Sequence, residues 1–145
     1  MKKVKWLVAL VLIFSILSVS ALAADEISVT INEKIIEFDV QPQLINNRTM
    51  VPMRKIFEEL GANVEWIDEM QLVMATYGPK IVAMEIGLDS FSITDASLGE
   101  TKTIPLDSPA VIVDGRTLIP VRAVAECFGY SVSWNDATQT VIISK

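Results

Sequence analysis

Arg48-Thr49-Met50-Val51-Pro52-Met53-Arg54 is answered, 68 residues later, by Arg116-Thr117-Leu118-Ile119-Pro120-Val121-Arg122. The correspondence continues without a gap. Glu58, Gly61, Val64, Trp66, Asp68, Gln71 and Val73 return as Glu126, Gly129, Val132, Trp134, Asp136, Gln139 and Val141, and upstream Asp39 returns as Asp107. Self-similarity at a constant offset is the mark of a duplicated structural unit. It also serves as an internal control. A residue present in both copies serves the shared unit, and one present in a single copy is neutral or belongs to one site.

Each copy reads as short strands around one helix. Ile27 to Ile31 alternates apolar and polar, the pattern of a half-buried strand, and Ile35 to Phe38 reads as its return. Asn46-Asn47 and Asp114-Gly115 both tolerate positive φ, as a tight type I′ hairpin requires. The strand after each turn ends at Pro52 or Pro120, and proline suits the first turn of a helix because its missing N–H would be unpaired there. Short helices are expected over 53–60 and 121–128, with Ile56, Phe57 and Leu60, or Val124, Ala125 and Phe128, as the apolar face. Gly61 and Gly129 stand where a helix end takes a left-handed residue. Val64 with Trp66, and Val132 with Trp134, share one face of the next strand, which places both indoles on the core side. Asp68-Glu69 and Asp136-Ala137 turn the chain into return strands over 71–76 and 139–144. Between the copies, 80–86, 90–94 and 100–104 read as further strands. The expected fold is α+β, an antiparallel sheet wrapped around a short helix, present as two tandem pseudo-repeats over 27–88 and 89–145.

The first residues carry the pattern of an export signal. Lys2, Lys3 and Lys5 precede the apolar run Trp6 to Val19, and Ala21-Leu22-Ala23 fits a small-x-small cleavage site, so cleavage is expected after Ala23. The alternative is an uncleaved anchor, for which the run is marginal against the roughly 20 residues a membrane-spanning helix needs. The signal is thus 1–23 and the domain 24–145. The full chain has 12 Lys and Arg against 18 Asp and Glu; losing three lysines leaves nine, a net charge of −9. An acidic surface of this kind argues against nucleic acid, whose phosphates need clustered basic residues, and against docking on anionic lipid. The roughly 120 remaining residues suffice for one core, whereas each copy alone would be marginal, so the copies are expected to bury surface against each other.

The chemistry on offer is sparse. Without a histidine, Ser-His-Asp and Cys-His arrangements and imidazole metal ligation are ruled out. Cys127 is the lone cysteine, aligns with Glu59, and reads as a partly shielded helix thiol. Met50, Met53 and Met74 have thioether-ligand spacings, but their counterparts are Leu118, Val121 and Ile142, so they read as core filler and no metal site is expected. Arg54 and Glu58, like Arg122 and Glu126, are four apart on a helix. Arg before Glu is the weaker order against the helix dipole, so Arg54 and Arg122 are expected to brace the fold through backbone carbonyls or the turn acids Asp68 and Asp136. Arg48 and Arg116 follow the hairpin turns and are the better residues for a partner surface. Tyr77 and Tyr130 lack counterparts and could also belong to a one-off binding face.

The run Gly115 to Glu126 (Gly-Arg-Thr-Leu-Ile-Pro-Val-Arg-Ala-Val-Ala-Glu), with Gly129, Val132, Trp134 and Asp136, resembles the copper amine oxidase N-terminal-like family, also called stalk domains. The first copy departs from it at Asn47 and Lys55, where the pattern has glycine and alanine. The resemblance implies an antiparallel sheet about a helix and no redox chemistry. In the oxidases copper and the quinone lie in another domain, on histidine ligands. Similar domains occur in exported proteins of Gram-positive bacteria, often beside cell-wall enzymes. It implies no catalytic residues and no cofactor, and makes Arg54, Glu58, Gly61, Trp66, Asp68 and their counterparts structural. The preferred function is therefore a secreted, non-catalytic structural or binding module at the cell envelope, contacting a protein or a wall polymer. The alternative is a small soluble-ligand binder or a carboxylate-based hydrolase. Two observations separate them: converging carboxylates in a deep polar pocket would favour the alternative, as would an acid beside Arg48 or Arg116 present in only one copy.

Overall fold

A computed structural model describes residues 26–145; the expected signal and its cleavage site lie outside the described residues. Thirteen strands and two short helices follow one another, an α+β fold of mostly antiparallel sheets. The first motif copy forms β3 (Gln43–Ile45), β4 (Arg48–Pro52), α1 (Met53–Glu59), β5 (Asn63–Ile67) and β6 (Leu72–Tyr77). The second forms β10 (Val111–Val113), β11 (Arg116–Pro120), α2 (Val121–Cys127), β12 (Ser131–Asn135) and β13 (Thr140–Ser144). Ahead of the first lie β1 (Ser28–Ile31) and β2 (Lys34–Ile35); between the two lie β7 (Lys80–Glu85), β8 (Ser90–Asp95) and β9 (Glu100–Pro105).

Local backbone chemistry sets the corners. Asn46 and Asn47 have φ of 50° and 60°, Asp114 and Gly115 of 49° and 74°, so two different residue pairs make the same left-handed hairpin turn. Pro52 and Pro120 cap their helices at ψ of 112° and 113° instead of entering the first turn, because each is also the last residue of a paired strand. At the other end Gly61 donates to the Glu58 carbonyl and Ala62 to Phe57; Gly129 donates to Glu126 and Tyr130 to Ala125. These are matched Schellman ends, with Gly61 at φ 90° and Gly129 at 82°. Gln71 and Gln139, expected to open strands, instead adopt φ of 48° and 49° at the turn, and the strands begin one residue later. The return strand expected over 35–38 is only Lys34–Ile35, after which Ile36 turns into the core.

The sheets do not respect the boundary between residues 88 and 89. One sheet has the order β10-β11-β4-β3, so the two hairpins of the motif copies join edge to edge. At the join Val51 faces Ile119, flanked by Met50 opposite Pro120 and Pro52 opposite Leu118. A second sheet, β12-β13-β1-β2, takes its last strands and its first from opposite halves, with β1 and β13 parallel. The third, β5-β6-β7-β8-β9, extends a first-half hairpin with a second-half one, and β7 has no equivalent in the second sheet. The core between the sheets contains Val29, Val51, Ile56, Phe57, Val73, Ile119, Val124 and Ile143, all at zero exposure. Phe57 and Phe128 meet edge to face at 5.5 Å, which joins the two helices.

Truncating the join tests this arrangement. Ile119→Ala should cost about 2–5 kcal/mol, as for buried large-to-small changes, in a single urea transition. Two resolved transitions, or a loss below about 1 kcal/mol, would contradict a core shared by both halves.

Candidate functional site

Two open grooves flank the central sheet, of about 720 Å³ and about 870 Å³. Their linings correspond at the same 68-residue offset. Arg48, Asp107, Pro120, Arg122, Glu126 and Trp134 line the first; Arg116, Asp39, Pro52, Arg54, Glu58 and Trp66 line the second. In each, a helix supplies one wall, an edge strand carries the indole, and an ion pair closes the rim.

The rim pairs are exchanged between the halves. Arg48 Nε donates to Asp107 Oδ2 at 2.9 Å. Arg116 donates to Asp39 Oδ2 from Nε at 2.7 Å and lies 2.6 Å from it through Nη2. Each guanidinium also reaches back to the carbonyl of its own turn, Asn47 or Gly115. Arg48 and Arg116, expected to face a partner, thus each pair with an acid from the other half of the same chain. The acids beside them, Asp39 and Asp107, occur in both copies, which is the outcome that favours structure over a one-off ligand site. The recurrence of Asp39 as Asp107 does not by itself pair these acids with the arginines; the signal is that all four residues recur at one offset.

On the helix wall, Arg54 lies 3.8 Å from Glu58 and Arg122 lies 3.6 Å from Glu126. Exposed pairs at this spacing contribute about 0.3–0.5 kcal/mol, against about 1.5–3 kcal/mol for each fully buried large apolar side chain such as Ile56 or Phe57. Burial therefore holds the helix, and the ion pair adds little. Arg54 also donates to the Val64 carbonyl at 3.3 Å, so one helix arginine does bridge to the next strand. The turn acids have other partners. Asp68 accepts from Trp66 Nε1 at 3.2 Å and from Gln71 Nε2, and Asp136 accepts from Trp134 Nε1 at 3.4 Å and from Gln139 Nε2. This explains why a glutamine recurs at each left-handed turn position.

Alternation places both indoles on the core side, and only Trp66 packs against the core. Trp66 is half-buried and Trp134 is 40% exposed. Both sit on edge strands, β5 and β12, and each lines its own groove. Tyr77 and Tyr130 lie outside both grooves and meet each other through Lys145. The Lys145 ammonium is 3.0 Å from the Tyr77 hydroxyl and sits 5.3 Å and 5.1 Å from the two ring centres. That contact holds the Tyr77 hydroxyl below the usual phenol range and raises Lys145.

Among the described residues, no group of three or more His, Cys, Asp or Glu side chains is placed to hold a metal ion. Asp39, Glu58, Asp107 and Glu126 in the grooves face arginines, and Asp68 faces turn donors. The carboxyls whose pKa departs from the ordinary range, Asp39, Glu59 and Asp95, all move down. The causes, in the same order, are the Arg116 guanidinium, the ammonium groups of Lys34 and Lys55, and the Ser97 hydroxyl. Cys127 lies at the edge of the first groove with its thiol pushed up by burial, which leaves it a poor nucleophile.

The family model described as the copper amine oxidase N-terminal domain matches residues 30–143. No curated protein matches the chain.

The Asp39–Arg116 pair predicts a pH signature. A carboxyl depressed by its partner contributes stability that is present above its unfolded value, here 3.8, and lost as pH falls through the folded value. The parent chain should exceed Asp39→Asn in stability at pH 7, with the difference closing below pH 3.8. Urea midpoints for the two proteins across that range give the comparison; a difference that survives full protonation would deny the Asp39–Arg116 pair its role.

Proposed function

The chain belongs to the copper amine oxidase N-terminal domain family, and from that premise we propose that it is a secreted, non-catalytic binding module of the cell envelope. The family's domain is stalk-like and non-catalytic. What carries the reading here is the state of the polar residues in the grooves. Hydrolysis by paired carboxyls needs one acid held protonated near neutral pH, with its pKa raised. Among the described residues every shifted carboxyl moves the other way, and Asp39, Asp107, Glu58 and Glu126 in the grooves each face an arginine. Residues paired in this way can position a surface.

Secretion rests on Lys2, Lys3, Lys5 and the apolar run that precedes Ala21-Leu22-Ala23. Among the described residues no helix is long and apolar enough to cross a membrane. At the envelope, the module contacts a surface protein or a wall polymer through surfaces that both halves build.

Two measurements test the proposal. Mass spectrometry of the exported protein should find a new terminus after Ala23. The exported protein should also co-sediment with isolated cell-wall sacculi and be released by denaturant. Retention in the cell with the leader attached, together with no binding to any envelope fraction, would overturn it.

A further inference from the structure

The groove around Trp134 has the chemistry of a site for a neutral, hydroxyl-rich chain, and we infer that it binds a glycan. Two features of the lining point there. The first is the indole. Trp134 keeps 40% of its surface exposed on an edge strand, and its Nε1 donates to Asp136, which fixes the ring's orientation. A pre-oriented aromatic face open to solvent offers apolar contact at small entropic cost. The carbon-bearing face of a pyranose ring fits such a surface.

The second is charge. Arg48 is matched by Asp107 and Arg122 by Glu126, so the lining has no net charge to draw an ion of either sign. The whole chain, at −6, disfavours anionic polymers as well. Yet these are planar, exposed groups with hydrogen-bonding positions to spare: Arg122 uses one nitrogen on Glu126 at 3.6 Å, and each carboxylate has lone pairs facing water. Planar donors and acceptors beside an aromatic ring match adjacent hydroxyls on a neutral sugar. An acidic or basic peptide would have to displace these pairs first.

The counterpart groove is less suited. Glu37 and Lys55 stand there at the positions of Pro105 and Ala123, and Trp66 is half-buried. The glycan site is therefore assigned to the Trp134 groove alone. It names the ligand class for the envelope module proposed above, and rests on that reading for its biological setting.

The test is a titration of the full chain with three neutral oligosaccharides: the tetramer of β-1,4-linked N-acetylglucosamine, the hexamer of β-1,4-linked glucose and the hexamer of α-1,4-linked glucose. Tryptophan fluorescence and calorimetry supply the readouts. Saturable binding of at least one sugar is expected, weakened about tenfold or more in Trp134→Ala. Leu88→Ala, which removes an equally exposed apolar side chain outside both grooves, should bind as the parent does. Thermal unfolding of each variant confirms that it is folded. No response to any of the three, or equal affinity in Trp134→Ala, overturns the inference. Sedimentation with sacculi before and after glycan-strand digestion separates it from the broader proposal. Binding that survives digestion would leave the envelope module standing and sink the glycan site, whereas no binding to sacculi or to any other envelope fraction, with the leader retained, would remove the broader proposal.

Discussion

The pairing of β4 with β11 is the contact on which the rest of the molecule depends. It is antiparallel and centred on Val51 and Ile119, two residues with no exposed surface. Because each strand runs straight into a helix at its proline, fixing this ladder also fixes where α1 and α2 begin. Each helix then buries its apolar stripe and hands the chain to an edge strand that carries a tryptophan. The ladder thus aligns the groove walls of both halves at once. A roughly 60-residue half would bury too little apolar surface to stand alone. Sharing a central sheet and exchanging outer strands lets two marginal units form one core.

That exchange explains the arginines better than either helix support or ligand binding. Arg48 and Arg116 project from hairpin tips at the two ends of the central sheet and meet acids contributed by the opposite half. Exposed ion pairs are weak individually, and their value here is geometric. They tether each turn to the segment leading into the other half's hairpin, alongside the contact between Asn46 and the buried Ser108. The same pairing leaves the groove mouths electrically neutral, so an architectural constraint also sets what the grooves can attract. Structure and recognition share these residues instead of dividing them.

The tryptophans show where alternation fails as a guide. Period two places both on the core face; Trp66 packs against the core there, whereas Trp134 stays exposed and lines its groove. What it could not supply was the coverage of that face. β5 and β12 are edge strands, and a side chain at an edge is screened on one flank only. A tryptophan there can be 40% exposed, as Trp134 is. The turn glutamines are a similar case. Their recurrence was visible, but a glutamine at positive φ is not suggested by its type, and its purpose emerges only from the paired bonds to the aspartate before it.

What the residue order determined by itself is everything governed by local torsions and one-sided burial. The Asn-Asn and Asp-Gly turns, the glycine helix ends, the apolar faces of both helices and the α+β class all follow from φ preferences and short-range periodicity, which act within a few residues. Family membership was legible for the same reason, since its motif is made of such positions. Tertiary structure alone decided which strands became neighbours across halves, that β7 would be inserted in one sheet only, and that Arg48 would find Asp107 and Arg116 find Asp39. Those partners lie 59 and 77 residues apart. At such separations backbone preference carries no information, and the choice belongs to the burial of apolar surface over the whole chain.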